Sequence, residues 1–91
     1  MNAGVKRELV TAALVRWGAE AQIKMVIGEC CELCSAIVDL DRGRLKASDV
    51  VDEIADVEIM LDFMRLYYGD SNVDKAVEKK LKRLAERLEE S

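Results

Sequence analysis

Apolar residues recur at helical spacing along almost the whole chain, and breaks in that spacing divide it into four segments. Leu9, Val10, Ala13 and Leu14 mark the apolar side of a first helix running roughly from Val5 to Arg16. Trp17-Gly18 interrupts it, because glycine is a poor helix-interior residue. A second helix, about Ala19 to Arg42, carries an apolar arc of Val26, Cys30, Leu33, Cys34 and Ile37 and stops at Gly43, which suits a helix C-terminus. After a charged connection, Asp41 to Ala47, Ser48 is the expected cap of a third helix. Asp49 and Asp52 lie in its first turn, near the positive end of the helix, and it runs to Tyr68 before Gly69. Ser71 with Asp74 reads as a capping box for a fourth helix, which continues to about Leu88 with Val73, Val77, Leu81, Leu84 and Leu88 in one stripe. The predicted fold is all-α, an antiparallel bundle of about four helices forming a single domain over 1–91.

The third helix is apolar on most of its circumference, with only Glu58, Asp62 and Arg65 as a clear polar strip. A chain of 91 residues cannot wrap such a helix by itself, so the bundle is expected to be completed by homo-oligomerisation, as a homodimer or homotetramer. Composition agrees with helices: 51% of residues are hydrophobic but only 4% aromatic, and proline is absent, so the core is aliphatic. No apolar run reaches the length of a membrane span, and the opening MNAGVKRELV lacks the apolar centre of a signal peptide. Cytoplasmic residence, away from membranes, is the expectation.

Charge changes the picture more than composition does. The net charge is -4, yet Glu29 to Asp62 holds ten acidic residues against only Arg42, Arg44 and Lys46. The fourth helix reverses this with Lys75, Lys79, Lys80, Lys82, Arg83 and Arg87. The overall negative charge disfavours a nucleic-acid polymer as partner.

Within the acidic centre, Glu29/Glu32 and Glu53/Asp56 are two pairs at i, i+3 spacing, each presenting two carboxylates from one side of its helix. If the second and third helices pack antiparallel, all four converge. Four negative charges in a half-buried site repel unless a cation lies among them, and oxygen-only ligands suit Mg²⁺ or Mn²⁺ rather than zinc or copper. The chain has no histidine, which excludes serine–histidine and cysteine–histidine nucleophiles and argues against a Glu-x-x-His di-iron centre. No glycine-rich phosphate loop is present. Cys31-x-x-Cys34 has too few further ligands for zinc, so Cys30, Cys31 and Cys34 are expected to be small, buried, reduced thiols.

Gly28-Glu29-Cys30-Cys31-Glu32-Leu33, followed at a fitting distance by Asp52-Glu53-Ile54-Ala55-Asp56-Val57, resembles the MazG-type all-α nucleoside triphosphate pyrophosphohydrolases. Their pattern is Glu-Glu-x-x-Glu, a variable spacer, then Glu-x-x-Asp. Trp17-Gly18 and Gln22 upstream and Lys80-Leu81-Lys82-Arg83 downstream are similar to flanking features of that family, so the likeness spans roughly Trp17 to Leu88. The resemblance implies Mg²⁺-dependent hydrolysis of a nucleoside triphosphate between the α and β phosphates, yielding monophosphate and pyrophosphate. It implies Glu29, Glu32, Glu53 and Asp56 as metal-binding catalytic carboxylates, with Mn²⁺ as a substitute ion. Lys80 and Arg83 are implied to hold the leaving pyrophosphate, and Trp17 and Gln22 are candidates for contacting the base. Trp17 as a core or interface residue is the plainer reading, and for Gln22 surface solvation stands level with reading a base edge or orienting a ligand. The sequence departs from the family at Gly28, where the first glutamate of the pattern is missing. Two rivals therefore stand beside the enzyme: a degenerate member that binds nucleotide but turns over poorly, and a non-catalytic helical interaction module. Related phosphoribosyl-ATP pyrophosphohydrolases rank lower, because the Tyr-His that follows their second motif is lacking here.

Overall fold

Three glycines with positive φ, Gly18 (86°), Gly43 (76°) and Gly69 (100°), stand where the chain leaves helical geometry. Side chains rarely adopt this conformation, so the breaks between helices are written into the backbone. The computed structural model describes all residues, Met1–Ser91, as four helices and no strand: α1 (Ala3–Trp17), α2 (Ala19–Asp41), α3 (Ala47–Tyr68) and α4 (Asp70–Glu90). At Gly18 the backbone N–H still bonds back to Leu14 at 2.9 Å, so α1 closes properly before the chain turns into α2.

Helix starts use local acceptors, not always the expected ones. Asn2 caps α1, its Oδ1 accepting from the N–H of Val5 at 2.9 Å. Ser48 does not cap α3; the helix begins one residue earlier, at Ala47, and the Asp49 carboxylate accepts from the N–H of Lys46 at 2.8 Å. The capping box expected from Ser71 and Asp74 does not form. Gly69 precedes α4 directly, and Asp74 instead accepts from Arg65 Nη1 at 2.7 Å, a charged partner that outcompetes a backbone N–H.

The short connection at residues 42–46 folds α3 back along α2 as an antiparallel hairpin, the most extensive packing in the molecule. Val26 of α2 meets Met60 and Phe63 of α3, and Val10 of α1 closes this small core; Ala13, Leu14, Cys30, Met64 and Leu66 pack around it. In the polar strip of α3 Glu58 stays exposed, but the other two residues are engaged by neighbouring helices. Asp62 pairs with Lys6 of α1 at 2.8 Å, and Arg65 reaches Asp74 (2.7 Å) and Asp70 (3.6 Å) at the start of α4. Arg7 of α1 also pairs with Asp70, so one charge cluster ties three helices together.

The four helices do not close into a bundle within one chain. α4 packs along α3 alone, reaching α1 only through the Asp70–Arg7 ion pair at its first residue, and buries none of its residues. The radius of gyration is 16.0 Å, where a compact domain of this length would have about 12 Å. Accessible surface is 7183 Å², against about 5300 Å² for a compact monomer of this mass. Two expected burials fail for the same reason. Cys31 and Cys34 are exposed and Cys30 is half-buried, all three as free thiols, because only one side of α2 is covered. Ile37, also assigned to the apolar arc, is 52% exposed. No helix is long and apolar enough to cross a membrane.

Candidate metal centre

The antiparallel register of α2 and α3 decides which acids meet. Glu29 and Glu32 lie one turn apart on α2, as do Glu53 and Asp56 on α3, and the reversal of direction sets the two pairs face to face. Carboxylate oxygens of Glu29, Glu53 and Asp56 lie within 4.8 Å of one another. Glu32 stands beside this trio rather than in it; its charge acts on both Glu29 and Glu53.

Glu29 and Glu53 are half-buried while Asp56 and Glu32 are exposed, and mutual repulsion makes this an uncomfortable place for anions. Loss of water around the carboxyl raises Glu29 above its ordinary value of 4.5, with the charges of Glu32, Asp56 and Glu53 adding to the shift and a hydrogen bond with Glu32 favouring the protonated form. Glu53 is raised chiefly by the same loss of solvation, then by Glu32, Asp56 and Asp52. One oxygen of each, Glu29 Oε2 and Glu53 Oε2, is shielded from solvent and has no hydrogen-bond partner. Shielded acceptors are normally satisfied. None of the four carboxylates takes part in any ion pair of the chain. Three carboxylates that each bring an oxygen to one place, two of them carrying an orphaned oxygen and none claimed by a cationic side chain, fit a hard divalent cation such as Mg²⁺ or Mn²⁺.

A shallow, open groove of about 290 Å³ adjoins the trio; Glu32, Glu53, Cys31, Ser35, Asp39 and Leu45 border it. Cys31 and Asp39 were not among the residues expected here. Asp39 follows Glu32 by seven residues, two turns along the same face, so helical spacing alone could have found it.

The remaining expected site residues are placed differently. Gln22 is only 3% exposed, the one buried polar residue, so it is not a solvated border residue. It lies on the covered face of α2, seven residues before Glu29 and in line with Val26, where α1 and α3 close over the helix. Trp17 is 64% exposed at the end of α1, and Glu29 is about 16 Å further along α2. Lys80 and Arg83 are exposed on α4, which has no contact with α2, so a single chain does not bring them to the carboxylates. The widest concavity, about 820 Å³, runs beside α4 and is lined by that helix alone, including Lys80 and Arg83. One helix encloses nothing, so this is an open basic flank and not a pocket.

Gly28 has no heavy atom within 4 Å of where a Cβ would stand. Packing therefore does not require glycine at the position where the family pattern carries glutamate. The chain matches no known protein-family model, no curated protein and no solved structure.

Proposed function

We propose that this chain is an Mg²⁺-dependent nucleotide pyrophosphohydrolase that cleaves a ribo- or deoxyribonucleoside triphosphate to the monophosphate and pyrophosphate. The observation that carries the reading is the convergence of Glu29, Glu53 and Asp56 within 4.8 Å, with orphaned oxygens on Glu29 and Glu53. These three residues would hold the ion. When bound, Mg²⁺ supplies charge neutralisation at phosphate oxygens and a lowered pKa for a coordinated water.

The protein's own groups divide the remaining work. Glu32, outside the tight trio yet electrostatically coupled to it, is the carboxylate left free to accept a proton from the attacking water. Lys80 and Arg83 hold the leaving pyrophosphate by charge and hydrogen bonding. The open groove beside Glu32 and Glu53 gives a polyphosphate access without a lid. The working form is a homodimer or homotetramer in which the helices complete a bundle, and the setting is the cytoplasm, where such an enzyme would clean or balance the nucleotide pool.

A second reading draws on the exposed apolar stripe of α4, where Leu81 is 58% and Leu88 67% exposed. That surface is equally what a non-catalytic helical interaction module would present. One assay separates the two: release of pyrophosphate from a panel of nucleoside triphosphates, with Mg²⁺ and with EDTA, for the native chain and Glu53→Gln. The enzyme reading expects Mg²⁺-dependent pyrophosphate with equimolar monophosphate, abolished in Glu53→Gln. No release from any nucleotide by folded native protein leaves the degenerate nucleotide binder and the interaction module.

A further inference from the structure

Opposite charges are left unpaired on two surfaces that do not meet within the chain. Glu29, Glu32, Glu53 and Asp56 have no cationic partner, and on α4 neither Lys80, Arg83 nor Arg87 makes an ion pair. Their spacing, i, i+3 and i+7, sets these three cations in a row along one border of the stripe Val77, Leu81, Leu84 and Leu88. The other border carries Glu78 and Glu89 with Lys82 between them, and Lys82 pairs with Glu78 at 3.5 Å, so only the first border presents a row of unpaired cations.

The apolar surfaces show the same mismatch. The α4 stripe is 42% to 67% exposed, an apolar face that its own chain leaves uncovered. The chain as a whole exposes 7183 Å², about 1900 Å² more than a compact monomer of its mass. Two chains covering that excess would bury about 3800 Å² in total, within the range of obligate dimers and well above the roughly 1600 Å² of a standard interface. The occupant that fits is a second copy of this chain, because each copy supplies the basic amphipathic helix and the acidic, half-covered hairpin that the other lacks.

We propose that the acidic site is composite. α4 of a second copy lies against the exposed α2–α3 hairpin of the first, and its Lys80, Arg83 and Arg87 stand over Glu29, Glu32, Glu53 and Asp56, where they hold the phosphate end of the substrate. Two-fold symmetry makes the arrangement reciprocal, with two such sites per pair. The assignment of the cations to phosphate rests on the pyrophosphohydrolase reading; the trans placement of α4 does not.

The test is complementation between inactive chains. Glu53→Gln and the triple variant Lys80→Ala/Arg83→Ala/Arg87→Ala are co-expressed with different tags, and the mixed oligomer is purified through both. Neither variant alone should release pyrophosphate from nucleoside triphosphates with Mg²⁺. In the mixed pair one site combines native carboxylates with a native α4, so activity should return to about half that of the native protein. Action within one chain leaves no native site, and a mixed oligomer as inactive as its parents overturns the proposal.

A second measurement does not depend on turnover. Native and nitrogen-15-labelled chains are co-assembled, treated in EDTA with a zero-length carbodiimide, and digested for mass spectrometry. Composite sites should yield an amide between Lys80 of one isotope and Glu32 or Glu53 of the other. Coupling confined to chains of one isotope, or a particle that stays at the 10.2 kDa of a single chain, overturns the proposal. If mixed-isotope coupling forms but the native protein cleaves no nucleotide, the composite surface stands and the enzyme reading falls.

Discussion

Replacing Leu81 and Leu84 together by alanine should weaken self-association while leaving α4 helical, since alanine is the best helix former. The two leucines are 58% and 49% exposed in the single chain, so about half of each is still available for burial. Complete burial of a leucine contributes about 1.5–3 kcal/mol, and the half that an interface would cover about 0.8–1.5 kcal/mol. Two leucines on each of two chains then stabilise a dimer by about 3–6 kcal/mol, and their loss should raise the dissociation constant about 10²- to 10⁴-fold. The assay is sedimentation equilibrium across a concentration series, with far-UV circular dichroism to check that helix content is kept. Native protein should sediment as a multiple of 10.2 kDa, and the variant should dissociate towards that value as it is diluted. A native protein that is monomeric throughout, or a variant with an unchanged association curve, would refute the argument that exposed apolar area on α4 belongs to an interface.

Three further outcomes follow from the hairpin. Because Glu29 and Glu53 hold protons more tightly when folded than at the ordinary 4.5, the metal-free protein should lose stability as pH rises from there through their raised values and then level off. In EDTA the melting temperature should therefore climb as pH is lowered towards 4.5 from above, and Glu29→Gln/Glu53→Gln should flatten that slope. Phe63→Ala removes the largest member of a four-residue core and should cost about 3–5 kcal/mol in urea denaturation, a large share of the stability of so small a domain. Gly28→Ala, in open space within a helix, should instead raise stability by about 0.5–1 kcal/mol; a loss in the same titration would mean that Gly28 is held by a contact outside the chain.

Helical periodicity and the glycine breaks were enough to place four helices within a residue or two of where they lie, because both act locally. Gly18, Gly43 and Gly69 end elements through their own backbone conformation, and the i, i+3 spacing of Glu29/Glu32 and Glu53/Asp56 puts each pair on one face whatever surrounds it. A short connection then makes the hairpin antiparallel, so the meeting of the acids was also legible once that packing was assumed. Capping was less so: Asp49 and Asp74 could each serve several partners, and the choice fell to groups available only in three dimensions, the N–H of Lys46 and the guanidinium of Arg65.

What the linear chain could not reveal is which faces are covered. Gln22 and Cys34 both sit in the amphipathic pattern of α2, yet Gln22 is buried and Cys34 exposed, because α1 and α3 cover one side of α2 and leave the other open. Nor could it reveal that α4, despite its apolar stripe, leaves α2 untouched and keeps Lys80 and Arg83 away from the carboxylates of its own chain. Local geometry is decided by the residues that adopt it. Burial and charge neutralisation depend on which surfaces meet, and only the tertiary arrangement decides that.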